Sequence, residues 1–179
     1  NARINEKMLS WAREQCSSTG GELLELYCGN GNFTIALAPH FDKVLATEIS
    51  KPSIQSAGFN LARNGIHNVK VCRLSSEDLT AAMNGSASFR RLKENGIELD
   101  EYRFTTVLVD PPRAGLEKHV IDGILKLNPQ LIAYVSCDPS TLARDAARLI
   151  SGGYRLKQVT PFDLFPQTFH IESISILEK

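Results

Sequence analysis

Cys137 occupies a position in the chain where a thiol can do chemistry. It ends the segment Tyr134-Val-Ser-Cys137, which follows an apolar run from Leu131 to Val135. Asp138 and Pro139 come next and start an amphipathic stretch. Asp is a good helix cap, and Pro suits the first helical position. The cysteine is therefore expected between the carboxyl end of a strand and the amino end of a helix. A helix dipole at that point favours a thiolate, the nucleophilic form of cysteine. The charge of Asp138 opposes that effect. A lone cysteine in such a place is more often a small buried hydrophobe. Three other segments favour chemistry.

The first is Gly21-Glu-Leu-Leu-Glu-Leu-Tyr-Cys-Gly-Asn-Gly-Asn-Phe-Thr34. Leu23 to Tyr27 reads as a short buried strand, Cys28 to Asn32 as a glycine-rich turn, and Phe33 to Leu37 as the start of a helix. Gly29 and Gly31 let the backbone turn tightly and let a ligand approach it. Glu48 closes the next strand, Val44 to Thr47. It follows the turn by about 20 residues, the distance at which an acid meets a ribose hydroxyl pair in dinucleotide folds. A glycine-rich loop alone is weak evidence. Strand, turn, helix, strand and terminal acid in this order point to an adenosine ligand. A dinucleotide fingerprint would place a third glycine where this chain has Thr34, and no Walker lysine follows the loop. Both absences weigh against a pyrophosphate or triphosphate. S-adenosyl-L-methionine has the ribose and adenine without the phosphate, and fits better. The competing reading is a turn that only joins strand to helix.

The second segment is Thr106-Val-Leu-Val-Asp-Pro-Pro-Arg-Ala-Gly115. An apolar strand ends in the carboxylate of Asp110, and two prolines fix a rigid exit loop. Asp-Pro-Pro after a fourth strand is also similar to amino-group methyltransferases, where an aromatic residue usually comes next. Here Arg113 takes that place. A cation there suits a phosphate or a developing enolate oxygen; the alternative is a solvated loop charge. The third segment is the tail, Phe162 to Ile174. Glu172 opens an apolar run, Ile174 to Leu177, that reads as the last strand. His170 is close in sequence, so either residue could be a base, and a surface Glu at a strand start remains an equal reading.

Together these segments resemble the RNA (uracil-5-)-methyltransferases. Leu-Leu-Glu-Leu-Tyr-Cys-Gly-Asn-Gly-Asn-Phe, Val-Asp-Pro-Pro-Arg-Ala-Gly, Ser-Cys-Asp-Pro-Ser-Thr-Leu-Ala-Arg-Asp and His-Ile-Glu carry the likeness, over essentially the whole chain. The stretch from Ala82 to Gly85 and the charged segment after it are more similar to the enzymes acting on tRNA than to those acting on ribosomal RNA. The resemblance implies a Rossmann-like class I S-adenosylmethionine-dependent fold, and tRNA, through its T-arm, as partner. The modified base would be the T-loop uridine, giving ribothymidine. It makes Cys137 the nucleophile and Glu172 the proton acceptor. Tyr27, Asn32, Glu48 and Asp110 match cofactor contacts. The family often has Asn after the catalytic cysteine, where this chain has Asp138. A cofactor-contacting glutamine falls just before Asn1. The N-terminal RNA-binding part is also expected outside this chain, so RNA contacts should need it. Residues 1–179 are read as one catalytic domain, a piece of something longer.

The chemistry accounts for these residue types. C5 of uracil is a poor nucleophile. Thiolate addition at C6 makes an enolate and turns C5 into a carbon nucleophile. C5 is methylated, a base removes its proton, and the thiol leaves. Covalent catalysis of this kind splits one hard step into easier ones. A cation such as Arg113 would stabilise the enolate, and the base must leave its stack to be reached.

The size of the chain suits one domain. Lys and Arg number 20 and Asp and Glu number 20, so composition carries no nucleic-acid signal. Arg90, Arg91 and Lys93 form a local basic cluster, more readily read as a solvated face. The four cysteines show no metal-ligand spacing, and no metal is expected. This pattern suits a reducing cytoplasm. No apolar run is long enough to span a membrane. An oxidoreductase would explain Gly29, Gly31 and Glu48 but leave Cys137 and Asp110 without a role. A binding module without turnover is the other alternative.

Helices are expected at Glu6 to Cys16, Lys51 to Asn64, Ser75 or Ser76 to Met83, Lys118 to Leu127, and from Pro139 to the Gly152-Gly153 stop. A short one is expected between Ser88 and Glu94. Strands are expected at Val69 to Leu74, Phe104 to Val109 and Leu131 to Val135 besides those above, and two strands close the chain. Such alternation predicts an α/β fold, a mostly parallel seven-stranded sheet with helices on both faces. Ligands then bind at the strands' carboxyl ends, where Tyr27, Glu48, Asp110 and Cys137 are expected.

Overall fold

The computed structural model describes residues 1–168 and 171–179. His170, one of the two candidate bases, lies outside the described residues. The sheet has seven strands: β1 (Glu22–Leu26), β2 (Lys43–Glu48), β3 (Val69–Arg73), β4 (Phe104–Val109), β5 (Leu131–Ser136), β6 (Arg155–Phe162) and β7 (Glu172–Glu178). Their order is β3-β2-β1-β4-β5-β7-β6. β1 to β5 run parallel, while β7 is antiparallel to both β5 and β6. The α-helices among the described residues are α1 (Ala2–Cys16), α2 (Asn32–Leu37), α3 (Lys51–Arg63), α4 (Ser76–Met83), α5 (Arg90–Glu94), α6 (Lys118–Leu127) and α7 (Pro139–Ser151).

Strand alternation decides which helices cover which face. Leu24, Leu26, Val107, Val109, Ile132 and Tyr134 pack with Leu79, Ile121, Leu142 and Leu149 of α4, α6 and α7. The intervening Leu23, Leu108, Leu131, Ala133 and Val135 pack with Met8, Ala12, Phe33 and Leu37 of α1 and α2. The central strands are thus buried on both sides, as parallel strands require. At these positions their apolar runs show no alternation of polar residues.

The expected elements are present, with shifted ends. α1 starts at Ala2 rather than Glu6, because the Asn1 side chain accepts from the amide of Ile4 and caps the helix early. α5 is shorter than the expected segment and begins at Arg90. α7 begins at Pro139 and closes on Gly152.

The antiparallel β7 matters most for the site. Its first residues lie beside the carboxyl end of β5, with Ser173 opposite Ser136. The Ser173 hydroxyl donates to the Ser136 carbonyl at 3.2 Å. A parallel last strand would have carried Glu172 to the opposite end of the sheet.

Candidate active site

Four loops meet at the carboxyl edge of the sheet, where the topology of an open α/β sheet puts its ligand. The turn after β1 is the tightest. Tyr27 has φ 61°, a left-handed conformation that is rare and strained for a bulky residue, and Gly29 and Gly31 have φ 55° and 86°. The Tyr27 hydroxyl pairs with that of Ser76 at the start of α4. A Cβ at Gly29 would meet nothing within 4 Å, whereas one at Gly31 would touch Ala57 of α3 at 3.4 Å. Gly29 therefore faces open space, and Gly31 lets α3 close on the turn. Asn32 exchanges two amide hydrogen bonds with Asn5 of α1, at 2.9 and 3.2 Å.

Glu48 ends β2 beside this turn. Its carboxylate accepts from the amide of Gly29 at 3.2 Å and from that of Ser50 at 2.8 Å. The acid thus ties the glycine turn to the next loop, a role absent from the spacing argument. Ile49 beside it is 64% exposed, an unusual place for a large apolar side chain.

Glu25 was missed by the sequence reading. It lies inside β1, 1% exposed, and Oε2 has no hydrogen-bond partner among the described residues. Burial pushes its pKa up to about 8, with the charge of Asp110 adding to the rise and Thr34 of α2 offsetting part of it. By geometry, Thr34 Oγ1 likewise has no partner among the described residues. A buried carboxyl with one oxygen unpaired, in the strand that leads into a glycine turn, calls for a partner. The signal was available: a carboxylate in a strand buried on both faces has to have a partner or a task.

Asp110 follows β4, and its amide donates to the carbonyl of Leu26 at 3.3 Å. The residue keeps exposed surface, yet partial burial of its carboxyl, with the nearby charge of Glu172, raises its pKa to about 7.

Cys137 lies just past β5, half-buried, as expected from the sequence. Its thiol pKa is raised, mainly by burial and then by the charge of Glu172; its own backbone and Arg113 offset part of this, and Asp110 adds the smallest rise. The expected bias toward thiolate is therefore absent in the resting site. Asp138 takes the free amides of Ser140 and Thr141, at 2.9 and 3.2 Å, so these donors are spent on its own carboxylate. Arg113 also turns to Asp138, with Nε 3.2 Å from Oδ2.

Cys137 and Asp110, just past β5 and β4, Arg113 on the loop after β4 and Glu172 at the start of β7 are thus near enough to influence one another's charge. Tyr27, Gly29, Gly31, Asn32 and Glu48 lie on the turn after β1 and at the end of β2, at the same edge of the sheet. The basic cluster is elsewhere: α5 lies by β3 at the far edge of the sheet, where Arg90 pairs with Glu94 and Arg91 donates to the Arg73 carbonyl. Glu77, Glu117 and His119 place ligand atoms within 4.8 Å of one another at the surface. Such an acidic cluster alone defines no metal site. No helix among the described residues is long and apolar enough to cross a membrane.

The strand order and the site at the carboxyl edge define a Rossmann-like methyltransferase fold. A ribosomal RNA methylase from Streptococcus thermophilus shares it, with a TM-score of 0.69 over 96% of each chain at 14% identity. The chain belongs to the tRNA (Uracil-5-)-methyltransferase family, whose model matches residues 1–179. It is 51% identical over its whole length to the tRNA/tmRNA (uracil-C(5))-methyltransferase of Pseudoalteromonas translucida, and 48% identical to that of Colwellia psychrerythraea. It spans about half of each, 47% and 48%. It also resembles the Pyrococcus abyssi tRNA (uracil-54, C5)-methyltransferase in complex with S-adenosyl-L-homocysteine. The TM-score is 0.71 and the identity 28%, over 95% of this chain and 38% of that one.

Proposed function

We propose that this chain is the catalytic part of an enzyme that methylates C5 of uracil in tRNA, using S-adenosyl-L-methionine. The observation that carries the reading is the convergence of Cys137, Glu172, Asp110 and Arg113 beside an adenosine-type cleft. The likeness to relatives named for this reaction supports it, as does the bound S-adenosyl-L-homocysteine of the Pyrococcus protein.

The cleft fits such a cofactor. Glu48 keeps lone pairs for ribose hydroxyls beyond its two amide partners, and Ile49 offers an apolar face to a base. Gly29 leaves room for close approach, and Asp110 and Asn32 flank the turn. The unpartnered oxygen of Glu25 suits an ammonium group or a water bound to one. The cofactor supplies an electrophilic methyl group when bound.

The protein's own residues do the rest. Cys137 gives up its proton and its sulfur bonds to C6 of the flipped uracil, pushing the ring electrons toward O4. Arg113 offsets the charge there, with Asp138 holding the guanidinium in place. C5 becomes the nucleophile and gains the methyl group. Glu172 then takes the C5 proton, the electrons return to the ring, and the bond from sulfur to C6 breaks. Since the resting cysteine is held as a thiol, its proton has to pass to Asp110 or to solvent as the base docks, leaving Glu172 ionised for the C5 proton. The T-loop uridine is the target we assign within tRNA.

The test is a methyl-transfer assay with the full-length protein and labelled S-adenosyl-L-methionine. Transfer to the T-loop uridine of unmodified tRNA, and none to ribosomal RNA, is the expected result. Transfer to ribosomal RNA alone, or reduction of a nicotinamide cofactor instead, overturns the assignment.

A further inference from the structure

Asp145 is an acid on α7 with no part in the reaction just described. It is fully buried, at 0% exposure. Its Oδ2 accepts from the amide of Leu116 at 2.7 Å and from the hydroxyl of Tyr134 at 2.8 Å. Its Oδ1 accepts from Nε of Arg144 at 2.8 Å. Arg144 in turn reaches back across the same gap, donating from Nη2 to the carbonyl of Ala114 at 2.8 Å and more weakly to that of Leu116 at 3.4 Å.

All of these bonds except the one from Tyr134 and the Asp145–Arg144 pair itself end on the stretch from Ala114 to Leu116. That stretch closes the loop that begins at Asp110. Gly115 sharpens the point. Its φ is +77°, and a Cβ there would collide with Asp145 and lie 2.6 Å from Nη2 of Arg144. Its amide also donates to the carbonyl of Pro112 at 2.8 Å, tightening the turn around Arg113. A buried charge is costly unless paired, so this arrangement resists rearrangement.

We propose that Asp145, with Arg144, is a positioning pair that clamps the loop carrying Arg113 onto the helix that follows Cys137. The proposal rests on the covalent reading above. The clamp fixes the far end of the loop, whereas Asp110 at the near end is held to β1 through its amide bond to the Leu26 carbonyl. Loosening the clamp therefore shifts Arg113 relative to Cys137 and leaves the cofactor half of the cleft in place. Asp138 is the contact between the two, since it pairs with Arg113 and caps the same helix.

Two variants of the full-length protein test this. Asp145→Asn keeps an oxygen for Leu116 and Tyr134 but turns an amide donor toward Arg144. Arg144→Gln, at a side chain 44% exposed, removes the bonds to Ala114 and Leu116 and the pairing with Asp145, which keeps its bonds from Leu116 and Tyr134 and its ion pair with Arg148 at 4.0 Å. Each is mixed with 5-fluorouracil-substituted T-arm RNA and S-adenosyl-L-methionine, and the rate of covalent adduct formation at saturating RNA is measured. Calorimetry gives the affinity for S-adenosyl-L-homocysteine.

The expected result is adduct formation slowed on the order of 10- to 100-fold, the effect of a misplaced catalytic group, with unchanged cofactor affinity. A purely structural role would weaken both together, and that outcome overturns the proposal. So does a wild-type rate of adduct formation in folded variants. If Asp145→Asn does not fold, Arg144→Gln decides alone. If the unsubstituted protein forms no adduct, the covalent reading itself fails and the positioning role falls with it.

Discussion

The guanidinium of Arg113 lies 3.2 Å from the carboxylate of Asp138, the residue that directly follows Cys137 and caps its helix. One side chain thus joins the exit loop of β4 to the start of α7. The pKa of Asp138 is lowered, by the amide of Thr141 first and then by Arg113 and the amide of Ser140.

Two substitutions separate the roles of Asp138. Asp138→Asn keeps a good cap but loses the ion pair, so the melting temperature should hold while adduct formation with fluorinated RNA slows. Asp138→Ala removes the cap as well and should also lower the melting temperature. Equal melting temperatures for both variants and the unsubstituted protein would show that the cap contributes nothing.

Glu48 binds two backbone amides, and the proposed function gives it the ribose hydroxyls as well. Glu48→Ala should weaken S-adenosyl-L-homocysteine binding about tenfold or more, since hydrogen bonds to charged groups contribute roughly 1.5–3 kcal/mol. Amide hydrogen exchange at Gly29 should rise in the same variant. Calorimetry with unchanged affinity in a folded Glu48→Ala protein would remove this residue from the site.

Stability without cofactor should fall as pH rises. Unfolded, Glu25 and Asp110 ionise near about pH 4. Folded, Glu25 keeps its proton to about 8 and Asp110 to about 7. Between those limits the folded chain binds more protons than the unfolded one, so the slope of stability with pH is negative. The loss starts above about pH 4 and is complete once both folded groups have ionised. Thermal melts should show it, and Glu25→Gln should flatten it. A melting temperature that climbs across this window, or an unchanged slope in Glu25→Gln, contradicts the account.

The sequence carried the elements whose signals are local. Phe104–Val109 and Lys118–Leu127 have the bounds that their apolar patterns indicate. The glycine turn and the terminal acids of β2 and β4 were equally legible, since topology alone sends strand ends to one edge. What was hidden depended on partners remote in sequence. Nothing near Asp145 indicates that it will meet Leu116 and Tyr134. Glu25 reads as an ordinary polar residue until the strand is known to be covered on both faces. The expected thiolate bias of Cys137 is outweighed by burial of the thiol and the charge of Glu172, a neighbour brought in by the antiparallel last strand that spacing does not encode.

Glu172 and Cys137 should fail at different steps. Glu172→Gln keeps the shape of the side chain but cannot take the C5 proton. With normal tRNA and S-adenosyl-L-methionine, it should accumulate a methylated adduct that survives denaturing electrophoresis, and His170→Ala should not. Free turnover by the Glu172 variant together with a trapped adduct in the His170 variant would move the base to His170.

The covalent bond from Cys137 to the base is the centre of the account, and fluorine at C5 exposes it. Fluorine cannot leave as a cation, so the reaction should stop after methyl transfer with sulfur still bonded to C6. The full-length protein, given 5-fluorouracil-substituted T-arm RNA and S-adenosyl-L-methionine, should yield a stable complex. Mass spectrometry of its digest should place the methylated fluoropyrimidine on the peptide containing Cys137, and Cys137→Ala should yield none. A complex carried by another residue, or undiminished formation in Cys137→Ala, would contradict the mechanism.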